Sequence, residues 1–246
     1  GLSVLSPVVT PESSNWYRGT ADAIYQNLDF LKKSHEPYVV IASGDGIYKL
    51  DFNKVLEYHI DKKADITVVC RDMEKDINVE RFGTLRMNEE YRIEEFEEKP
   101  LKAKTNTVSC GIYVIRRRQL IEMVEKCAEE DRYDFVRDIL IRYKDMKKIY
   151  GYKIKEYWRN IASVEDYYST NMDFLKPKVR NYFFKQYPDV YSKVEDLPPA
   201  KYNVGSAVKN SLISSGCIVN GAVENSVVFK KSYIGNNCAL KPQQSV

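Results

Sequence analysis

Three stretches of this sequence bring together residue types that can handle phosphate or a metal ion. Asp45 stands between Gly44 and Gly46, directly after the β-branched run Tyr38-Val39-Val40-Ile41-Ala42. A carboxylate at the carboxyl end of a strand in an open α/β sheet sits where such folds bind ligands. It can hold Mg²⁺ there, while the flanking glycines let a phosphate approach the backbone. The same three residues also compose an ordinary turn. Glu97-Glu98-Lys99-Pro100 offers a lysine as a point-charge phosphate ligand, with Pro100 fixing the exit from the strand. As a bare string it is equally a solvated charge run. Trp16-Tyr17-Arg18-Gly19-Thr20-Ala21-Asp22-Ala23 sets glycine and small residues ahead of a helix. The first N–H groups of that helix suit an anion or a base edge, or the stretch is only a helix start packed by Trp16.

The elements that must position these residues alternate between strand and helix patterns over the first two thirds of the chain, which predicts an α/β layout with a largely parallel sheet. Residues 38–42 read as a central strand covered on both faces. Asp51 is the expected N-cap of a helix whose apolar face is Phe52, Val55, Leu56, His59 and Ile60, with His59 a packed histidine rather than a ligand. Ile24, Leu28 and Leu31 repeat the same period upstream. Further strands are predicted at 66–70, 83–87, 92–96 and 108–115, the middle two joined as a hairpin through Asn88-Glu89-Glu90-Tyr91. Helices are predicted at 118–129, 134–143 and 164–175, the last capped by Ser163 with Asp166 three residues on. Residues 176–206 carry Pro177, Pro188, Pro198 and Pro199 and read as a structured linker.

From residue 207 to 246 the pattern changes. Apolar residues recur at Ile213 and Val219 and, after a slip, at Val228, Ile234 and Leu240, with Cys217, Val223, Ser232 and Cys238 four positions into each hexad. A hexapeptide period with turn-forming Gly and Asn predicts the stacked coils of a parallel β-helix. About two coils are too few to stand alone.

The 246 residues carry 38 Lys and Arg against 35 Asp and Glu, which argues against a broad surface for nucleic acid or an anionic membrane. No apolar run approaches the roughly 18 residues of a membrane span, and no signal-peptide layout is present, so a cytoplasmic protein is expected. Five widely spaced cysteines and two histidines point to buried free thiols rather than disulfides or a zinc site. The chain starts at Gly1 and stops within the hexapeptide pattern, and it reads as an incomplete subunit.

In order along the chain, Trp16 to Ala23, Gly44-Asp45-x-Ile47-Tyr48-Lys49, Phe82-Gly83, Glu98-Lys99-Pro100, Ser109-x-Gly111-Ile112-Tyr113, Tyr157-Trp158-Arg159 and Leu197-Pro198-Pro199-Ala200-Lys201 resemble bacterial glucose-1-phosphate adenylyltransferase. The resemblance implies a nucleotidyltransferase domain of mixed α/β type at 1–175, a linker at 176–206 and left-handed β-helix coils at 207–246, assembled as a tetramer. It implies the Mg²⁺-dependent joining of ATP and glucose 1-phosphate into ADP-glucose and pyrophosphate, in glycogen biosynthesis. Carried over by motif, Asp45 matches a metal ligand, Gly19 and Thr20 lie in the base-contacting segment, Glu98 and Lys99 match the sugar-phosphate contacts, and Ser109 and Gly111 match the loop beside the glucose.

Three departures shape the functional expectation. The Tyr-Trp-Arg motif continues Asn160-Ile161-Ala162-Ser163 where catalytic members have Asp-Val-Gly-Thr, whose aspartate is the second metal ligand. Gly46 stands where the motif usually has His, and the Gly-rich triphosphate loop does not occur in the chain. Losing one of the few carboxylates that hold Mg²⁺ weakens the site. The sequence therefore resembles most the non-catalytic D-type subunit, a regulatory partner of a catalytic subunit in a hetero-oligomer. The alternatives are an active Mg²⁺-dependent enzyme with Asn160 as a neutral ligand, and a module sensing a nucleotide or sugar phosphate.

Overall fold

The computed structural model describes residues 2–7, 16–74 and 77–241, so the last five positions of the expected β-helix lie outside the described residues. The chain forms two compact units. One holds residues 1–44 and 51–156, the other 45–50 and 157–246. No described helix is long and apolar enough to cross a membrane.

The first unit is built on a mixed sheet. Its strands are β1 (Tyr38–Ala42), β3 (Ile66–Asp72), β4 (Gly83–Met87), β5 (Ile93–Glu98), β6 (Thr107–Arg116) and β7 (Ile149–Ile154), and β2 (Gly46–Tyr48) belongs to the second unit. The order is β5-β4-β6-β3-β7, and β1 pairs with β6. The ten-residue β6 is long enough to take β4 near its start, at Thr84 opposite Val108, and β1 at its end, from Tyr38 opposite Arg116 to Ala42 opposite Ile112. Only β3 and β7 are parallel neighbours; every other pair is antiparallel. The expectation of a largely parallel sheet is thus corrected, because β6 runs against its neighbours on both sides. Nor is β1 a central strand. It has one strand neighbour among the described residues, and Val40 is 42% exposed. Its β-branched run packs Val39 and Ile41 against the core and leaves Val40 and Ala42 exposed on the other face.

The hairpin β4–β5 forms as predicted, with Leu85 and Phe96 opposite one another and both buried. Helix α4 (Arg117–Glu129) buries Leu120, Met123, Val124 and Cys127, an i, i+3, i+4, i+7 stripe that meets Ile66, Val68, Ile115 and Ile139 in one core. The upstream period resolves into two short helices, α1 (Thr20–Tyr25) and α2 (Leu28–Lys33), broken at Asn27, whose Nδ2 donates to the Ala23 carbonyl. The helix expected at 134–143 centres on a π-helical turn, Val136–Ile141.

Helix α3 (Phe52–Asp61) is capped as predicted, the Asp51 carboxylate accepting from the Asn53 N–H. It buries Val55 and His59, whereas Phe52 and Ile60 at the ends of the expected stripe are exposed. His59 is 1% exposed; its Nδ1 lies 2.8 Å from Thr67 Oγ1, its ring meets Tyr38 edge-on at 5.4 Å, and its Nε2 has no partner. Burial pulls its pKa down to about 4, with Arg116 pushing the same way and Asp65 opposing. A histidine kept neutral in the fold takes up its proton more readily when unfolded, so its contribution is complete above the unfolded value near 6.5 and is lost as pH falls toward 4. We expect the protein to lose about 2 kcal/mol of stability between pH 7.5 and 5 from this residue. Urea unfolding across that range checks it, and an unchanged slope in His59→Gln contradicts it.

In the second unit, β2 pairs antiparallel with β8 (Trp158–Asn160), followed by α5 (Val164–Asp173) and α6 (Pro177–Lys185). Ser163 caps α5 as predicted, its hydroxyl accepting from the Asp166 N–H at 3.1 Å. The segment expected as a linker holds α6, with Pro177 at its first turn, and β9 (Lys201–Tyr202). Seven further short strands follow: β10 (Ala207–Lys209), β11 (Leu212–Ile213), β12 (Ile218–Val219), β13 (Ala222–Glu224), β14 (Val227–Val228), β15 (Tyr233–Ile234) and β16 (Ala239–Leu240). They stack in three parallel ladders, β10-β13-β16, β11-β14 and β15-β12-β9, as in the opening coils of a β-helix. Cys217, Val219, Val223 and Val228 form the buried seam, with Ile213 and Ile234 against it. Leu240 and Cys238, expected inside, are exposed, since no described coil covers theirs.

Candidate functional site

The candidate residues divide between the two units. In the second, Asp45 and Asn160 come together. β2 and β8 form a two-stranded ribbon in which Gly46 faces Asn160, and the Ile161 N–H donates to the Asp45 carbonyl at 2.9 Å. Asp45 is exposed and Asn160 half-buried; the residue paired with Asn160 is Gly46, and Asp45 stands one step along, opposite Ile161. A Cβ at Gly46 would press on the Tyr48 ring at 3.1 Å, closer than ordinary van der Waals contact. No group of three or more His, Cys, Asp or Glu side chains able to hold a metal occurs among the described residues.

Two supports hold this ribbon: Lys49, which ends the motif at 44–49, and Asp173, which the sequence did not single out. Lys49, at the end of β2, is 5% exposed, and its Nζ donates to the carbonyls of Tyr182, Phe183 and Gln186 at the end of α6. The Tyr182 hydroxyl returns a bond to the Lys49 carbonyl. Behind β8, the buried Asp173 of α5 accepts from Tyr157 Oη at 3.0 Å, Arg159 Nε at 3.2 Å and Lys176 Nζ at 2.6 Å. Burial raises its carboxyl, but the bonds from Lys176 and Tyr157 and the charge of Arg159 outweigh that and hold it below the usual range.

In the first unit, Glu98 ends β5 opposite Gly83, where an added Cβ would meet Glu98 Oε2 at 2.9 Å. Burial raises the Glu98 carboxyl and Asp134 adds to it, against Lys99 and Arg137. Lys99 is exposed, with φ 47° in the left-handed region, and its N–H donates to the Phe82 carbonyl. A lysine in that conformation is uncommon and costs on the order of 1 kcal/mol or more, which the flanking Glu98 and Pro100 must hold in place.

Ser109 borders a bulge that contains Gly111. Opposite β3 the register passes from Val69–Ile112 to Cys70–Ser109, so Cys110 and Gly111 are extra residues, and Gly111 adopts φ 69°. A Cβ on Gly111 would also sit 3.0 Å from Ser43 Cβ. Ser109 Oγ accepts from the Gly111 N–H and lies 3.3 Å from Tyr113 Oη. Glycine inside a strand pattern is the signal that marks such a bulge in advance.

Gly19 and Thr20 are already engaged within the unit. The N–H groups of Ala21 and Asp22 donate to the Tyr133 carbonyl at 2.8 and 3.4 Å, and Thr20 Oγ1 accepts from the Phe135 N–H at 2.9 Å. The buried Asp22 carboxylate accepts from the Arg18 backbone and guanidinium and from Gln26, and the Arg18 guanidinium lies 3.8 Å over the Tyr133 ring. Residues 132–138 therefore hold this segment in place, although their spacing gave no sign of it.

The family described as Nucleotidyl transferase matches residues 3–177, well over half of the chain. The chain belongs to the nucleotidyl transferase family. Among its relatives, the glucose-1-phosphate adenylyltransferase of Clostridium acetobutylicum is 38% identical over 243 residues, covering 98% of this chain and 64% of the relative. The enzymes of the same name from Bacillus licheniformis and Bacillus subtilis are 36% and 35% identical, again over 98% of this chain and 64% of the relative. The chain thus spans less than two thirds of the length of these relatives. Family membership agrees with the mixed α/β sheet of the first unit and extends through α5 of the second.

Proposed function

We propose that the protein is a regulatory, catalytically weak or inactive subunit of a glucose-1-phosphate adenylyltransferase, paired with a catalytic subunit in a cytoplasmic hetero-oligomer, a tetramer by family resemblance, that serves glycogen biosynthesis. The observation that carries this reading is the ribbon that pairs neutral Asn160 with Gly46, the residue after Asp45. Mg²⁺ in phosphate-transfer sites is held by one or two carboxylates plus substrate phosphates, so this donor set fits Mg²⁺ only with a large share supplied by phosphate oxygens. When bound, the ion would neutralise charge developing on the nucleotide phosphates. Asp45 would hold it, Lys99 would attract the phosphate of a sugar phosphate, and the Ser109–Gly111 bulge would border the sugar.

The test is pyrophosphate release by the full-length protein, alone and with a co-expressed catalytic homologue. We expect near-inactivity alone and an altered rate or effector response in the mixture. Turnover alone at the level of catalytic relatives, or no co-purification and no kinetic change, overturns the proposal. Asn160→Asp adds the second carboxylate, and Mg²⁺ titration should show about a tenfold gain in affinity; an unchanged affinity means that the ribbon does not hold the ion.

The left-handed Lys99 beside half-buried Glu98 favours a retained site for sugar phosphate within this regulatory reading. Calorimetry with glucose 1-phosphate should show binding that Lys99→Ala weakens at least about tenfold, the scale of one charge-assisted contact.

A further inference from the structure

The turn at residues 132–138 bonds the first candidate segment of the first unit directly and reaches the other two through Tyr113 and through β5. Its Tyr133 carbonyl holds the start of α1, and its Phe135 N–H binds Thr20. The Phe135 ring packs 5.1 Å from Tyr113, whose hydroxyl reaches Ser109 beside the Gly111 bulge. Beyond it, the π-helical turn packs on β5, the strand that ends in Glu98, and buries Ile139 and Leu140 in one core with Phe96. Lys144 then ties this stretch to β5 by donating to the Glu94 carbonyl at 2.8 Å. π-Helical turns inside helices are rare and occur frequently at functional sites.

One side chain closes this turn. Asp138 accepts from the backbone N–H groups of Tyr133 at 3.1 Å and Asp134 at 2.9 Å, and from Arg132 Nη1 at 3.3 Å. Asp134 in turn accepts from the Arg137 N–H at 2.8 Å. Without the Asp138 carboxylate, two adjacent N–H groups lose their acceptor and the Tyr133 carbonyl loses its fixed direction.

The geometry assigns Asp138 the role of a positioning residue: by holding the 132–138 turn, it sets together the Gly19–Thr20 segment, the Ser109–Gly111 bulge and the end of β5 at Glu98. This rests on the reading of those segments as sites for a nucleoside triphosphate and a sugar 1-phosphate. It adds that the two ligands are coupled through the turn, so each tightens the other by the same factor.

The experiment uses the full-length protein, with glucose 1-phosphate titrated by calorimetry with and without a non-hydrolysable ATP analogue, alongside hydrogen exchange without ligand. In wild type the analogue should tighten glucose 1-phosphate binding about fivefold or more, the lower range of allosteric coupling. Asp138→Ala should bring that factor to about one, and Asp138→Asn, which keeps an acceptor oxygen, should restore most of it. In Asp138→Ala the amides of Ala21, Asp22 and Gly111 should exchange about tenfold faster, while Val68 and Val69 of β3 keep their protection. Both ligands binding independently in wild type overturns the coupling and leaves the proposed function standing. Failure of both to bind overturns the functional reading and the coupling with it, and the exchange result then decides the positioning role. Acceleration confined to 132–138 overturns that role. If Asp138→Ala does not fold, Thr20→Val removes the acceptor for Phe135 and should lower the coupling factor in the same way; a full wild-type factor in it contradicts the proposal.

Discussion

Gly19→Ala is expected to remove about 3 kcal/mol from the stability of the first unit, the upper range for forcing extra volume into a packed site. The backbone at Gly19 is extended, so the cost is not conformational. It is steric: the new Cβ would lie 2.3 Å from the Tyr133 carbonyl oxygen and 2.8 Å from its carbon. A backbone carbonyl cannot swing aside as a side-chain tip can. Relief therefore requires α1 to lift from the turn, which breaks the bonds from Ala21 and Asp22 to Tyr133 and from Phe135 to Thr20. Gly44→Ala is the matched control, since nothing lies within 4 Å of a Cβ there, and it should shift stability by less than about 0.5 kcal/mol. Urea midpoints for the two variants give the comparison, and equal midpoints would mean that the close approach at Gly19 is not a constraint.

Lys49→Met should cost about 3 kcal/mol, felt in the second unit. Its Nζ serves three carbonyls at the end of α6, and a buried acceptor that loses its donor costs roughly 1–3 kcal/mol. Removing a buried amine returns part of that, so the sum is smaller than three full penalties. The apolar stem is conserved in methionine, which isolates the loss of the donor. Hydrogen exchange should show β2 and α6 opening together, while the β3–β6 pairing keeps its protection. Unchanged protection at Ile47 and Tyr48 would show that β8 alone anchors β2.

The elements set by neighbours in sequence were legible. The caps at Asp51 and Ser163 and the hairpin from Gly83 to Glu98 depend on side chains within a few residues, and the structure has them in place. What depended on distant pairing was not. The run at Tyr38–Ala42 has the composition of a buried strand, yet its place is set by β6, more than seventy residues on. Four prolines made 176–206 look like a connector, but Pro177 opens a helix, where its missing N–H costs nothing. Of the candidate residues, two of distinctive type, Asp45 and Asn160, lie at adjoining positions of one ribbon. The turn at 132–138 was not legible, because it acts through backbone groups of Tyr133 and Phe135, and backbone groups leave no mark in residue type.

The second unit borrows β2 from a stretch of chain lying between two parts of the first. As the chain is synthesised, Gly46 emerges more than a hundred residues ahead of its partner Asn160. At 5–20 residues per second, that interval is roughly 6–23 s. The β3–β6 pairing can close within that wait, whereas β2 must stay unpaired until β8 arrives. The ribbon that pairs Gly46 with Asn160 therefore forms on the ribosome only after every strand of the first unit's sheet has emerged, and a segment starting at residue 157 would lack one of its two strands.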